Sequence, residues 1–314
     1  MIGIKGQFLV QNTLQKSVSF TGIGLHTGCA VRMVVAPMAA NMGIWFRRID
    51  LPGAPMVPAR YDAVPESRLC TKLRAADGTE VSTVEHVMAA LAGCGIHNAL
   101  IDIDGPEAPI LDGSAVLFAR EFLSVGLRAQ NATMHAIEIL REVRVTQGAA
   151  SAALTPADGL YLDFRIDFTD AAIGSQHRVA NLANGYFVRE LCDSRTFCRK
   201  SDVDAMRQAG LALGGSHDNA VVVEGDKILT PGGLRHSDEA VRHKMLDALG
   251  DLALAGAPIL GCYMAIRPGH MLTNKILRAL FETPDAYRFV ECTPKQAARL
   301  PGVGVGAADL AHVA

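Results

Sequence analysis

Arg242-His-Lys-Met-Leu-Asp-Ala-Leu-Gly-Asp251 spaces a histidine and two aspartates four residues apart, at positions 243, 247 and 251. In an α-helix, four residues turn the chain through about 400° and advance it about 6 Å, so these side chains share one face. A histidine and an aspartate one turn apart can hold one cation, while the next aspartate can orient a neighbouring group. The segment therefore predicts half of a metal site on a helix.

The other half is predicted in Ser82-Thr-Val-Glu85-His86, where a carboxylate directly precedes a second histidine. The spacing of Ser82 and Glu85 is typical of a capping box, so a helix is expected to begin here and to end at the glycine of position 93 or 95. Three protein ligands would leave one position of a tetrahedral metal open. The candidate ligands are His86, His243 and Asp247.

The composition limits the class of protein. The chain has 314 residues, of which 49% are hydrophobic and 20% charged. That is enough for a large core and about two domains. A formal net charge of −2 gives no electrostatic reason to expect a nucleic-acid partner. The seven cysteines are scattered and never spaced Cys-x-x-Cys, which favours neither a disulfide framework nor a thiolate zinc cluster and suits a reducing cytosol.

Stable membrane insertion is not predicted. The first ten residues lack the sustained apolar core of a signal peptide. The longest uncharged run, between Asp251 and Arg267, is too short to span a bilayer and is interrupted by Gly256, Pro258 and Gly261. We therefore expect a cytoplasmic protein. We also expect a monomer.

The order of the elements favours an α+β fold over a doubly wound parallel sheet. Strand-like alternation covers residues 11–20, 29–36 and 42–49, before the first candidate helix. Strand patterns begin again after residue 134, and the histidine-bearing helix of the second half comes late. Both of these helices close with Leu-Ala-Gly and lead into an apolar strand. This faint repeat leaves open whether the two halves share a topology.

A domain boundary is predicted close to the middle of the chain. The polar stretch 128–133 is the best candidate for a linker. On this basis we divide the chain into a first α+β domain, residues 1–130, and a second, residues 131–314.

Seven motifs, in order along nearly the whole chain, carry a resemblance to a known family. They are Gly22-Ile-Gly-Leu-His-Thr-Gly28, Ser82-Thr-Val-Glu-His86, Pro106-Glu-Ala-Pro-Ile-Leu-Asp-Gly-Ser114, Ser194-Arg-Thr-Phe197, Gly214-Gly-Ser216, Val241-Arg-His-Lys-Met-Leu-Asp247 and Gly269-His270. The chain resembles the UDP-3-O-acyl-N-acetylglucosamine deacetylases, zinc amidases that commit a precursor to lipid A synthesis. The resemblance implies two domains of like topology, each a sheet packed on two helices, with small inserts. It also implies that the metal and the acylated UDP-sugar lie between the domains.

The resemblance further implies a role for individual residues. The implied Zn²⁺ ligands are His86, His243 and Asp247. The implied catalytic residues are the general base Glu85, the general acid His270, its partner Asp251, and Thr196. The implied substrate-binding residues are Lys244, Phe197 and His26, of which His26 has the least defined role.

These roles make chemical sense together. Two imidazoles and one carboxylate suit Zn²⁺ and keep it Lewis acidic. Glu85 can take a proton from water, and the Thr196 hydroxyl can stabilise the oxyanion that forms at the acetamide carbonyl. His270 has its cationic form favoured by the charge of Asp251, so it can protonate the leaving amine.

Each residue alone also has a simpler explanation. His243 and Asp247 could be a surface pair, Glu85 a capping residue, His86 a core histidine and Lys244 a solvated charge. Thr196 could be an ordinary strand residue, Phe197 core, His270 part of a turn, and Asp251 the end of a helix. Their joint occurrence in the family's order favours the enzyme. A zinc amidase for another N-acetylated sugar and an inactive binding homologue remain the alternatives.

Two further groups of residues, a set of glycines and two departures from the family's pattern, do not change the predicted reaction. The glycines of 22–24 and 214–215 resemble a phosphate cradle, but no Walker lysine and serine follow, so tight turns are favoured. Cys198-Arg-Lys200 and Leu234-Arg-His-Ser237 depart from the family's pattern. We interpret both departures as changes on the acyl side of the site, which bear on acyl-chain length and not on the reaction.

Overall fold

A computed structural model describes residues 10–66 and 69–312. Within those ranges the α-helices are α1 (Glu85–Gly93), α2 (Val116–Val125), α3 (Lys200–Gln208), α4 (Glu239–Ala253), α5 (His270–Phe281) and α6 (Pro294–Ala297). The strands are β1 (Val10–Leu14), β2 (Val18–Ile23), β3 (Ala30–Pro37), β4 (Ile44–Arg48), β5 (Met56–Pro58), β6 (Lys72–Arg74), β7 (Glu80–Ser82), β8 (Ala99–Ile103), β9 (Leu127–Thr133), β10 (His135–Ile139), β11 (Val143–Gln147), β12 (Ala150–Pro156), β13 (Leu160–Asp167), β14 (Ser175–Asn181), β15 (Phe197–Arg199), β16 (Val221–Glu224), β17 (Lys227–Ile228), β18 (Ile259–Ile266) and β19 (Tyr287–Glu291). Short 3-10 turns cover Tyr61–Ala63, Pro284–Ala286 and Ala307–His312, and a π-helical turn covers Phe187–Leu191.

The two halves of the chain repeat one topology, as the family resemblance implies. The first sheet has the order β2-β3-β8-β4-β5, in which β8 pairs antiparallel with β3 and parallel with β4. In the second sheet, β18 pairs antiparallel with β12 and parallel with β13, and β11 and β14 extend it on either side. The strands β10 and β19 are additional to this pattern. The α+β prediction is confirmed.

The helices follow the same repeat. In each half a helix precedes the central strand, α1 before β8 and α4 before β18, and a second helix follows it, α2 and α5. Each half also carries an insert directly before its first helix. The inserts are the hairpin β6–β7 and the segment that contains β15, β16, β17 and α3.

The helices α1 and α4 lie in the core, with eight of the nine residues of α1 and twelve of the fifteen residues of α4 buried. Their buried residues include charged and titratable side chains, which need polar partners inside the protein. Both helices belong to one continuous apolar cluster that also includes residues from strands of both sheets, among them Val35 of β3 and Phe164 of β13. They cross at Gly250, where an added Cβ would lie 2.0 Å from the carbonyl oxygen of Glu85. Glycine therefore permits the closest approach of α4 to the first turn of α1.

Three local predictions were wrong. Residues 128–133 form part of β9, which pairs antiparallel with β1 from Leu14–Leu127 to Val10–Thr133, and not a linker. The predicted boundary at residue 130 falls inside this strand, and the division into residues 1–130 and 131–314 stays a prediction. The stretch 11–20 is broken into β1 and β2 at residues 15–17. The capping box is absent from α1, because the Ser82 hydroxyl donates to the carbonyl of Pro106 instead.

Two broader expectations concern membranes and thiols. Across residues 10–66 and 69–312, none of the helices combines the length and apolar character needed to cross a bilayer. The seven cysteines are all free thiols, as their scattered spacing predicts.

Candidate metal and catalytic site

The crossing of α1 and α4 brings one imidazole from the first helix to an imidazole and a carboxylate on the second. Nε2 of His86 lies 3.5 Å from Oδ1 of Asp247, and Nε2 of His243 lies 3.2 Å from the same oxygen. All three residues are buried, and one ligand atom from each lies within 4.8 Å of the others. The structure thus brings together the three predicted ligands.

The hydrogen bonding of His243 and Asp247 is consistent with a cation between them. Nδ1 of His243 donates to the carbonyl of Ser194 at 2.9 Å, because a carbonyl oxygen can only accept. Burial lowers the pKa of His243 to about 4, so its Nε2 is an unprotonated acceptor. The buried Asp247 Oδ1 facing it has no hydrogen-bond partner in the described part of the chain. An imidazole nitrogen and a carboxylate oxygen that face each other as acceptors are typical ligands of a divalent metal.

Lys244 keeps the remaining oxygen of Asp247 occupied. Its Nζ lies 3.0 Å from Asp247 Oδ2. Burial alone would raise the pKa of Asp247, but its interactions with His243 and Lys244 outweigh burial and hold the pKa well below its usual range. Asp247 is therefore an anion that offers Oδ1 to a metal.

Glu85 occupies the first position of α1, beside His86. Its Oε2 accepts a hydrogen bond from the backbone N–H of Thr71 at 3.0 Å, and its Oε1 lies 3.6 Å from Nε2 of His270. Burial is the main cause that raises the pKa of Glu85, and the carboxylates of Asp247 and Asp251 act in the same direction. A carboxylate with a raised pKa accepts a proton more readily.

His270 begins α5 and faces the same space from the second half. Its Nδ1 lies 2.8 Å from Oδ2 of Asp251, and its Nε2 points toward Glu85 and toward Asp247 Oδ2, 3.9 Å away. Burial by itself lowers the pKa of His270, but Asp251 and Glu85 outweigh it and raise the pKa to about 10. The structure places an imidazole whose cationic form is favoured beside the carboxylate of Glu85.

Phe197 and Thr196 lie next to the ligands on the side of the second insert. The Phe197 ring contacts the His243 ring edge to face, with centroids 6.3 Å apart, and Nζ of Lys244 lies 5.6 Å from the centre of the Phe197 ring. The backbone of Thr196 is fixed by a 2.7 Å bond from its N–H to the carbonyl of Gly113. A buried ion pair between Arg195 and Glu239, 2.9 Å apart, connects the segment before β15 to the start of α4.

His26 approaches the site from the first half. Both of its ring nitrogens are buried and, among the residues that the structure describes, lack hydrogen-bond partners. Burial lowers its pKa, the nearby Glu107 opposes this, and the proximity of His270 adds to the lowering. A neutral imidazole with both nitrogens free can donate from one and accept at the other.

A cavity of about 680 Å³ lies against these residues. Its lining includes His26, Thr196, Phe197 and Lys244, together with apolar side chains of the second insert. Cys198, Arg199 and Lys200 line it as well. Arg235 binds Asp112 at 2.9 Å and His236 binds Asp193 at 2.9 Å, and the interpretation of residues 234–237 stays a prediction.

Two residues of the site were not predicted. Thr71 contacts both Glu85 and Asp251, and Glu107 accepts hydrogen bonds from the backbone of His26 and Thr27. Glu107 lies within one of the quoted motifs, so its presence there is the signal that could have identified it. Thr71 is outside those motifs, and its contact with Asp251 joins residues 180 positions apart.

The chain can be compared with known proteins. A family model described as UDP-3-O-acyl N-acetylglycosamine deacetylase matches residues 11–282. A UDP-3-O-acyl-N-acetylglucosamine deacetylase of Pasteurella multocida is 45% identical over 289 residues, which cover 91% of this chain and 95% of that protein. Deacetylases of the same name from Shewanella frigidimarina and Phenylobacterium zucineum are 44% and 45% identical, over 90% and 89% of this chain and 93% and 96% of theirs. The chain belongs to the UDP-3-O-acyl N-acetylglycosamine deacetylase family and is an amide hydrolase.

Proposed function

We propose that this protein is a zinc-dependent deacetylase that hydrolyses the N-acetyl group of UDP-3-O-acyl-N-acetylglucosamine and releases acetate. The observation that carries the proposal is the convergence of His86, His243 and Asp247 beside a carboxylate and a cationic histidine. Family membership supplies the substrate class, because the relatives carry that substrate in their names.

His86, His243 and Asp247 would hold the zinc ion through Nε2, Nε2 and Oδ1. When bound, zinc supplies Lewis acidity, which lowers the pKa of water and polarises a carbonyl. Zn²⁺ is favoured over Mg²⁺ or Ca²⁺ because two of the three donors are imidazole nitrogens.

Glu85 takes a proton from the attacking water in this proposal. Its raised pKa brings its basicity closer to neutral pH, where a general base is most efficient. The N–H of Thr71 holds one carboxylate oxygen, so the other faces the reaction space toward His270. The water oxygen then forms a bond to the acetamide carbon and gives a tetrahedral oxyanion.

The oxyanion needs donors already in place. Thr196 and Lys244 both line the cavity, and Nζ of Lys244 lies 3.0 Å from the proposed ligand Asp247. Fixed donors of this kind stabilise developing charge better than water, because they need not reorganise. His26, with two unpaired ring nitrogens, is proposed to bind a polar group of the substrate.

His270 completes the reaction as general acid. It gives its Nε2 proton to the departing nitrogen as the carbon–nitrogen bond breaks, which leaves a free amine on the sugar and acetate. Asp251 holds Nδ1 at 2.8 Å and stabilises the cationic ring before the transfer.

The cavity is proposed to receive the 3-O-acyl chain. Its walls include Phe168, Val203 and Met206, and Val203 and Met206 lie on α3 at a spacing of three residues, which places them on one face of that helix. Apolar walls next to a polar reaction centre suit a substrate that has an acyl chain beside its N-acetyl group.

Acetate release tests this proposal. Purified zinc-loaded protein is given UDP-3-O-acyl-N-acetylglucosamine and, as a matched control, UDP-N-acetylglucosamine without the acyl chain. We expect rapid release from the first and a value of kcat/KM lower by about 10²-fold or more for the second, since the apolar contacts would be lost. Equal rates would contradict the acyl assignment and favour an amidase of another N-acetylated sugar. If acetate is released from neither substrate, the proposed deacetylase activity is contradicted.

A further inference from the structure

Thr71 is a buried residue that lies between the two halves of the proposed catalytic machinery. Its side chain and backbone are 3% exposed. Its hydroxyl donates to Oδ1 of Asp251 at 2.5 Å, and its N–H donates to Oε2 of Glu85 at 3.0 Å. Its carbonyl accepts a hydrogen bond from the N–H of Val84, directly before α1. All three polar groups of one residue are thus committed to α1 and α4.

The hydroxyl has a specific task at Asp251. That carboxylate is buried, with one oxygen bound to Nδ1 of His270 and the other to Thr71. A buried carboxylate is costly unless its oxygens are hydrogen-bonded, and hydrogen bonds to charged groups are stronger than neutral ones. Without the hydroxyl, Oδ1 would lose the bond that fixes the rotation of the carboxylate. The ring of His270 would then lose its fixed orientation.

Thr71 also fixes the position of Glu85, the proposed general base. Because the N–H of Thr71 and its hydroxyl are separated by only two covalently linked atoms, the positions of Glu85 Oε2 and Asp251 Oδ1 are tied to each other. Nε2 of His270 lies 3.6 Å from Glu85, so a small rotation of the ring changes the distance between acid and base. Displacements of about 1 Å in a reacting group can reduce turnover about 10²-fold.

We infer that Thr71 is a positioning residue for the hydrolysis: it holds the carboxylate of Asp251, and through it His270, in register with Glu85. The inference rests on the proposed function, since it acts through the acid assigned there. It differs from a purely structural hydrogen bond, which would contribute to folding and leave turnover of the folded enzyme unchanged.

A double-mutant cycle on Thr71 and Asp251 tests the inference in the zinc-loaded enzyme. Thr71→Val keeps the shape and the backbone N–H but removes the hydroxyl. We expect kcat to fall about tenfold or more, the loss typical of a hydrogen bond to a charged group, with KM within about twofold of wild type. Thr71→Ser, which keeps the hydroxyl, should restore most of the rate. In an Asp251→Ala background, Thr71→Val should cost less than about twofold, because the group through which it acts is gone.

Thr13→Val is the matched control. Its hydroxyl is also buried and donates a 2.7 Å hydrogen bond, to the carbonyl of Asn98, away from the site. It should lower the melting temperature without changing kcat. If Thr71→Val does not fold, Thr71→Cys takes its place in the cycle, because a thiol is a much weaker donor.

The outcomes separate this inference from the proposed function. If the losses of kcat caused by Thr71→Val and Asp251→Ala multiply in the double variant, the two residues act independently. That result would overturn the positioning role of Thr71 and leave the assignment of His270 as general acid unchanged. Wild-type kcat in folded Thr71→Val would do the same. Wild-type kcat in Asp251→Ala would overturn both the acid pair and the role of Thr71.

Discussion

The surroundings of Glu85 suit it to the proposed role of general base. It is buried at the start of α1, its carboxyl pKa is raised by that burial, and one oxygen is held by Thr71. The sequence pattern predicted a cap for the helix, but in the structure the carboxylate turns toward His270. Its free oxygen is therefore available for proton transfer.

Glu85→Gln is expected to keep the fold and the metal and to lose turnover. Glutamine can accept the hydrogen bond from Thr71 but cannot take a proton, so kcat should fall about 10²–10⁴-fold. Elemental analysis and circular dichroism check metal and fold. Glu80→Gln, which loses a partly exposed ion pair with Lys72, is the control and should keep normal turnover. A near-normal kcat in metal-loaded Glu85→Gln would remove Glu85 as the base.

The pH profile of kcat/KM should be bell-shaped. Glu85 must be deprotonated, so the rate is lost as the pH falls through a pKa raised above the ordinary glutamate value. His270 must be protonated and its pKa is raised to about 10, so this requirement is met at neutral pH and lost only in the alkaline range. His270→Ala should lower turnover and displace or remove the alkaline limb while zinc stays bound. If the profiles of wild type and His270→Ala superimpose at equal height, His270 is not the general acid and Lys244 becomes the next candidate.

The sequence predicted some of these residues better than others. His243 and Asp247 are one helical turn apart, so local periodicity alone places them together, and the structure does so. His270 and Thr71 reach Asp251 only through tertiary folding. The family resemblance identified His270. Thr71 was missed because nothing in its immediate sequence marks a partner 180 residues away.

At the scale of elements, the site depends on how closely α1 and α4 approach. An added Cβ at Gly250 would lie 2.0 Å from Glu85 O and 3.0 Å from Ala89 N. Both contacts are with backbone, which cannot move aside as a side chain can. Any side chain at Gly250 therefore forces the helix with His86 away from the helix with His243 and Asp247.

Gly250→Ala should weaken metal binding as well as stability. Overpacking of this kind costs about 1–3 kcal/mol, which denaturation of the metal-free protein would measure. Competition with a chelator should show a Kd for zinc raised about tenfold or more, because the ligand geometry is disturbed. Gly93→Ala is the control, since its Cβ would meet the Phe187 ring at the far end of α1. Equal zinc affinity in the two variants would contradict the role of the crossing.

The sequence predicted elements less well where their partners are distant. Residues 128–133 are polar and look like a linker, but pairing with β1 makes them a strand. Ser82 and Glu85 have the right spacing for a cap, but Pro106 and Thr71 are their actual partners. The helices α1 and α4 were predicted, because their patterns depend on residues close in sequence, but α3 and α5 were not, and His270, which was expected in a loop, begins α5.

At the scale of the whole molecule, the repeated topology places one helix with candidate metal ligands in each half. His86 comes with the first sheet, and His243 and Asp247 come with the second. A metal held by both halves binds the folded chain only, because unfolding separates residues 157 positions apart, from 86 to 243. Metal binding should therefore contribute to global stability.

Removal of the metal should lower the melting temperature. A ligand present at about 100 times its Kd stabilises the folded state by about 2.7 kcal/mol, so chelation should cost several degrees. Calorimetry with and without chelator measures the shift, and His86→Ala should show almost none. An equal shift in wild type and His86→Ala would place the stabilising ion elsewhere.

The metal content of the purified chain tests the central claim most directly. Elemental analysis compares wild type with His86→Ala and His243→Ala, which each lack a predicted ligand. The control is His177→Ala, because the wild-type His177 imidazole lies on the surface and binds Asp163 at 2.7 Å. We predict one zinc ion per chain in wild type and in His177→Ala, and loss of that ion in His86→Ala and His243→Ala. Undiminished zinc in both ligand variants would contradict the account.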